Sequence, residues 1–183
     1  DHIIASNRRT KRSASLHQQY GIETTQDNCV VAAKSNVLVL SVKPQSLGAV
    51  LPELHGQIPT DCLVLSIIAG ARTSILQKGL GHARVVRCMP NLPCRIRKGM
   101  SVWAAPPGVD EADLERLRTI LSVMGEEIQV EDEGHVDCAT AVNGTGPAIV
   151  AQFVKAFLEG ATYIGESRSV AHETVLATLM GTA

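Results

Sequence analysis

Residues 63–70 read LVLSIIAG, an almost unbroken apolar run that closes on Ala-Gly. A run without polar alternation suits a strand covered on both faces, not one that turns every second side chain to water. Working outward, VLVLSV (37–42) is a second such run, closed by Lys43-Pro44, which cannot continue a central strand. ARVVRCMP (83–90) is a third, stopped by Pro90. The intervening SLGAVLPELHGQI (46–58) and RTSILQKGLG (72–81) carry apolar residues at helical spacing. QDNCVVAAKS (26–35) also reads as helix, with Asp27 or Asn28 as its cap. Strands and helices alternating at these intervals predict a parallel sheet with helical crossovers.

The remainder divides near residue 134. SVWAAP (101–106) and EIQVEDE (127–133) read as further strands. Between them DEADLERLRTILSVMG (110–125) reads as an acid-capped amphipathic helix ending at Gly125. After Asp137, CATAVNGTGPAIVAQFVKAFLEGATYIG (138–165) is a small-residue helical stretch broken by Asn-Gly-Thr-Gly-Pro, and SVAHETVLATLMGTA (169–183) is a last helix. The expected organisation is a nucleotide-binding α/β domain over residues 1–134 and the start of an all-helical region over 135–183. That region lacks room for a core of its own, so it is expected to bury its apolar face against a second subunit.

Composition narrows the function classes. The chain has 183 residues, 45% hydrophobic but only 3% aromatic, so the core must be built from aliphatic side chains. A net charge of -1 argues against a nucleic-acid or membrane-surface partner. No apolar run approaches the roughly 20 residues that span a bilayer. The five cysteines are odd in number, scattered and without a C-x2-C pair, so neither a disulfide scaffold nor a zinc site is expected. No metal is expected, and a cytoplasmic, reducing location is. CMPNLPC (88–94) reads instead as a proline-stiffened turn that presents Asn91.

The loops that end the strands carry the ligand chemistry. SNRRTKR, SVKPQ, SIIAG and RCMPNLP should share one edge of the sheet, where open parallel sheets bind ligands. HIIASNRRT (2–10) reads as a strand entering a basic loop, the second strand of a dinucleotide fold. In such a fold a Gly-rich strand-turn comes first and its strand lies mid-sheet, yet no G-x-G-x-x-G occurs in this sequence. An acidic residue ending the second strand would hold a ribose 2′-hydroxyl. Ser6, Asn7, Arg8 and Arg9 stand there instead, and guanidinium groups suit a 2′-phosphate, pointing to NADP (NADPH).

SVKPQ, SIIAG, RCMPNLP followed by KGMS, and D-x-x-T-A-V-N-G-T-G-P-A together resemble the pyrroline-5-carboxylate reductase family, in order and over essentially the whole chain. The resemblance implies a Rossmann-like, mostly parallel α/β sheet with helices on both faces, followed by an all-helical C-terminal dimerisation region. It implies NADPH-dependent hydride transfer to a cyclic imino acid, 1-pyrroline-5-carboxylate, yielding proline, and a homo-dimer or larger oligomer. Asn7 and Arg8 would meet the adenosine phosphate and Asn28 the adenosine ribose. Val42, Lys43 and Pro44 would border the nicotinamide ribose, with Ala69, Gly70, Pro90 and Asn91 close to the ring. Asn143, Gly144, Thr145, Gly146 and Pro147 would lie near substrate. The family pattern has Thr at Leu92, Ser-Gly-Ser-Gly-Pro-Ala-Tyr at Asn143–Ile149 and Gly-Leu-Pro-Arg at Gly165–Arg168, and it continues into a Pro-Gly-Gly-x-Thr segment that grips the substrate carboxylate. No catalytic acid is named, since the four crevice loops contain no His. A relative acting on another imine or carbonyl, and an NADP-binding module without turnover, are the alternatives.

Overall fold

The computed structural model describes residues 2–182. A short two-stranded parallel sheet comes first, β1 (Ile4–Ser6) against β2 (Glu23–Thr25), with α1 (Thr10–Tyr20) crossing between them. A five-stranded sheet follows in the order β3 (Val37–Leu40), β4 (Leu63–Ser66), β5 (Val85–Pro90), β6 (Gly99–Ala104), β7 (Gly125–Gln129). β3, β4 and β5 are mutually parallel; β6 runs antiparallel to β5 and parallel to β7. Helices α3 (Leu47–Leu54) and α4 (Thr73–Leu80) supply the crossovers of β3–β4–β5, α2 (Asn28–Lys34) leads from β2 into β3, and α5 (Glu111–Ser122) joins β6 to β7.

The unbroken apolar strands are buried on both faces, as their composition requires. Val64 and Val85 join Val31, Leu51, Leu54, Leu76 and Leu80 in a core beneath α2, α3 and α4. Their alternates Leu63, Leu65, Val86 and Cys88 join Trp103, Leu117 and Leu121 beneath α5. Side chains two apart thus fall into the same core, the pleat period of a strand. Val39 of β3, which no helix of the second core covers, stays 46% exposed.

Three expectations are corrected. The basic stretch after β1 is not simply a loop but holds α1, and β2 follows it. α1 escapes detection by periodicity because it has no apolar stripe: its single buried residue is Ser13. It stops at Gly21, in the left-handed conformation at φ 67°. Second, Gly125 does not end the preceding helix but opens β7, directly opposite Gly99. A Cβ on Gly125 would stand 2.2 Å from the Gly99 carbonyl oxygen, so the pairing needs glycine there. Third, Asn-Gly-Thr-Gly-Pro does not break the helical stretch. α6 (Gly134–Ala139) passes through a π-helical turn (Thr140–Gly144) into α7 (Gly146–Tyr163), and α8 (Arg168–Thr182) packs beside α7. Pro147 sits in the first turn of α7, where its missing N–H leaves no bond unmade.

The ladder also has a gap. β1–β2 and β3–β7 share no strand pairing among the described residues, although Ile4 of β1 packs on the same core as Leu38 and Leu40 of β3.

Candidate functional site

Parallel pairing carries the ends of β3, β4 and β5 to one edge, since Leu40 stands opposite Ser66 and Ser66 opposite Arg87. Val42–Pro44, Ala69–Gly70 and Pro90–Asn91 therefore continue from neighbouring strand ends. Val42 is half-buried against the core, while Lys43 and Pro44 are exposed. The Lys43 carbonyl accepts from Ser46 N at 2.8 Å and starts a 3-10 turn whose first residue is Pro44. After β4, Ser66 Oγ accepts from Ile68 N at 3.3 Å, and the chain turns at Gly70 with φ 72°. Only glycine takes that conformation without cost.

A second group forms at the end of β1. Ser6 Oγ donates to Asn28 Oδ1 at 2.6 Å, and Asn28 Nδ2 donates to Glu53 Oε2 at 2.9 Å. Asn28 thereby ties β1, α2 and α3 together. Asn7 Oδ1 accepts from Arg9 N at 2.9 Å, folding the loop over the start of α1. Arg8 and Arg9 are exposed and make no ion pair among the described residues. A guanidinium without a carboxylate partner is free to meet an anionic ligand.

Asp27, Cys29 and Glu53 bring three donor atoms within 4.8 Å of one another. Their chemistry is already committed. Asp27 Oδ1 caps α2 by accepting from Cys29 N at 2.8 Å, and Cys29 Sγ donates to the Glu53 carbonyl at 3.4 Å. Desolvation, then the Asp27 and Glu53 carboxylates, raises the Cys29 pKa.

The two asparagines of the predicted site meet each other. Asn91 Nδ2 donates to Asn143 Oδ1 at 2.7 Å, and Asn91 Oδ1 accepts from Met100 N at 2.9 Å. Asn143 Nδ2 donates to both the Met89 and the Met100 carbonyls, each at 2.9 Å. The Asn91 oxygen and one of its two amide N–H groups are thus engaged inside the protein. Gly144 lies against β5, where a Cβ would meet the Met89 methyl at 2.9 Å. Thr145 Oγ1 donates back to the Thr140 carbonyl at 3.4 Å, and Gly146 and Pro147 open α7. Residues 143–147 are thus joined to Met89 and Asn91, and among the described residues no side-chain hydrogen bond links them to Ser6, Asn7, Arg8 or Asn28.

A buried arginine with two more exposed carboxylates, almost unannounced by local sequence, lies next to this joint. Arg87, 2% exposed, pairs through Nη2 with Asp137 Oδ1 at 2.6 Å and through Nη1 with Glu133 Oε2 at 3.3 Å. Glu133 Oε2 also accepts from the amide and hydroxyl of Thr73, at 3.0 and 2.6 Å, and so caps α4. Desolvation pushes the Glu133 pKa up, but the two Thr73 bonds and Arg87 outweigh it and the net shift is downward. The one available signal was an Arg in the otherwise apolar run VVRCM.

Beyond the joint, α7 has no buried residue, and Ile149, Val150, Phe153 and Phe157 are exposed along it. Val154, Leu158, Ala171 and His172 help line a groove between α7 and α8.

Residues 1–70 match the family described as "NADP oxidoreductase coenzyme F420-dependent", and residues 133–183 match "Pyrroline-5-carboxylate reductase dimerisation". The pyrroline-5-carboxylate reductase of Pseudomonas aeruginosa is 35% identical over 182 residues, covering 99% of this chain and 67% of its own length. That of Synechocystis sp. is 36% identical over 183 residues, covering 100% of this chain and 68% of its own. The solved pyrroline-5-carboxylate reductase of Coxiella burnetii superposes with a TM-score of 0.90 at 31% identity, covering 98% of this chain and 67% of that one. The chain thus spans about two thirds of the length of these relatives. With more than 30% identity to these reductases through essentially the whole chain and two thirds of their length, the chain belongs to the pyrroline-5-carboxylate reductase family.

Proposed function

We propose that the protein reduces 1-pyrroline-5-carboxylate to proline by hydride transfer from NADPH. The observation that carries this is identity of 35% running through 99% of the chain, including every strand-end loop of the crevice. The basic end of β1 supports NADPH over NADH, because Arg8 and Arg9 are exposed without a carboxylate partner and no acidic residue occupies that strand end. The dinucleotide supplies the hydride, and this chain supplies orientation. Ser6, Asn7, Arg8 and Asn28 hold the adenosine end, while Val42, Lys43, Pro44, Ala69, Gly70, Pro90 and Asn91 wall the nicotinamide end. Residues 143–147 form the substrate side. The imine carbon must lie over the nicotinamide, and its nitrogen takes a proton as the hydride arrives.

The open ladder between β1 and β3, with Val39 exposed beside it, supports a further strand at that position. The family's glycine-rich strand-turn fits there, and with it the helix N-terminus that binds a pyrophosphate. Residues 1–134 are then the cofactor domain and 135–183 the beginning of a helical dimerisation and substrate domain. The exposed apolar face of α7 supports pairing with a second copy of the chain, as homo-dimer or larger oligomer. No helix among the described residues is long and apolar enough to cross a membrane. The five free thiols support a reducing, cytoplasmic location.

The test is NADPH oxidation by the full-length protein with and without pyrroline-5-carboxylate. Substrate-dependent oxidation is expected. Arg8→Ala should weaken NADPH by about 10- to 100-fold, the worth of a charge-assisted contact, and leave NADH nearly unchanged. NADPH binding without turnover would overturn the reductase reading in favour of a cofactor-binding module.

A further inference from the structure

Two side-chain amides, 52 residues apart in the chain, complete the end of a β-ladder. β5 and β6 pair as far as Pro90 opposite Ser101. Met100 lies one step beyond. Its N–H donates to Asn91 Oδ1 and its carbonyl accepts from Asn143 Nδ2, so both of its backbone polar groups on that side are answered by side chains. Asn143 spends its full donor capacity, one N–H on Met100 O and one on Met89 O, and its oxygen takes the proton of Asn91. Turning the Asn143 amide over would set its oxygen against two carbonyls, so the network accepts one orientation. Neither a serine, with one donor, nor an aspartate, with none, can reproduce it.

The joint sits where two halves of the crevice meet. Asn91 follows Pro90 at the nicotinamide end, and Asn143 belongs to the π-helical turn that leads into α7. Such turns recur at functional sites because they displace backbone from the regular ladder. Gly144 brings the same turn onto the Met89 methyl, which a Cβ at that position would meet at 2.9 Å.

We propose that Asn91 and Asn143 act as an amide clamp that sets the distance and angle between the cofactor-side loop and the substrate-side helix α7. Both are positioning residues for the reduction, and the inference rests on the proposed reductase activity. Hydride transfer is sensitive to displacements of about 1 Å, which is the scale on which a lost clamp would act.

The full-length protein carrying Asn143→Ala, Asn143→Asp, Asn143→Ser, Asn91→Ala and the Asn91→Ala/Asn143→Ala pair tests this. Three readouts are compared: steady-state kinetics, NADPH affinity and amide hydrogen exchange over residues 89–101. Asn143→Ala and Asn143→Asp should lower kcat by about 10- to 100-fold with NADPH affinity within about twofold, and should speed exchange at Met100. Asn143→Ser, keeping one donor, should fall between, and the double variant should be no worse than the poorer single one. Unchanged kcat and exchange in Asn143→Ala would overturn the clamp. So would a rise in KM for the imine alone with exchange unchanged, which would make Asn143 a substrate ligand. If the unaltered protein shows no reductase activity, the functional reading fails, while hydrogen exchange still decides whether the clamp exists.

Discussion

Cys88 and Cys94 frame the most telling loop of the sequence, yet the chemistry there belongs to the residues between them. Cys88 is 2% exposed, and burial, with the Glu127 carboxylate adding to it, pushes its thiol up to about 12. Cys62 is fully buried and is pushed up to about 11, burial again the main cause. Since the thiolate is the nucleophile, both thiols are inert near neutrality. Iodoacetamide at pH 8 should therefore leave Cys62 and Cys88 unmodified in the folded protein, and peptide mapping should find them alkylated only after unfolding in urea. Modification of Cys88 at the rate of a free thiol would mean that the core under α5 opens readily. Asn91 carries the other lesson at this level. The sequence marks it by placing it between two prolines, but its partners, Met100 and Asn143, cannot be read from the loop itself.

Elements are joined here by a few polar side chains that reach across the sheet. Glu133 precedes α6 yet caps α4, 60 residues earlier in the chain, and it shares Arg87 with Asp137 of α6. This binds α4, β5 and α6 at the corner where the helical region begins. The lowered pKa of Glu133 means that the folded state favours its charged form, with a sign that follows directly. The stabilisation is complete above the unfolded carboxylate value of about 4.3 and disappears as pH falls through the lower, folded value. Urea midpoints measured at pH 7 and pH 3.5 should therefore fall more in the unaltered protein than in Glu133→Gln, whose pH 7 midpoint should already be reduced. Equal acid losses in both would remove Glu133 from the account. A helix cap supplied from so far along the chain leaves no local signature, whereas the caps of α2 and α5 come from the adjacent position, where the sequence offers Asp27 or Asn28 for the first, settled as Asp27, and an acidic start at Asp110 for the second.

At the scale of the whole molecule, the ladder gap between β1 and β3 and the apolar face of α7 lack partners among the described residues. Ile149, Val150, Phe153 and Phe157 lie on that second face, with Phe153 and Phe157 in tilted contact at 6.1 Å between ring centroids. A contiguous apolar face of this kind normally meets another protein surface. Sedimentation should give a dimer or larger species, and Phe153→Asp should weaken association by about 30-fold or more, as loss of a central aromatic anchor does. A folded monomer at micromolar concentration in the unaltered protein would contradict the proposed pairing through these helices.

Much of this architecture is legible along the chain. Runs such as LVLSIIAG and VVRCM announce strands buried on both faces, their spacing demands helical crossovers, and the turn residues at their ends identify the loops of the crevice. These are properties of near neighbours, and propensity and periodicity report near neighbours faithfully. α1 was missed because a polar helix with one buried residue has no such period to report. The antiparallel β6, the gap in the ladder, the Arg87–Glu133–Asp137 cluster and the Asn91–Asn143 clamp depend on pairings between residues 11 to 52 positions apart or between strands whose order no local pattern specifies. Burial made those pairings necessary: the end of a ladder leaves backbone groups to answer, and a guanidinium inside the sheet requires carboxylates, but which side chains respond is settled only when the sheet and helices close on one another.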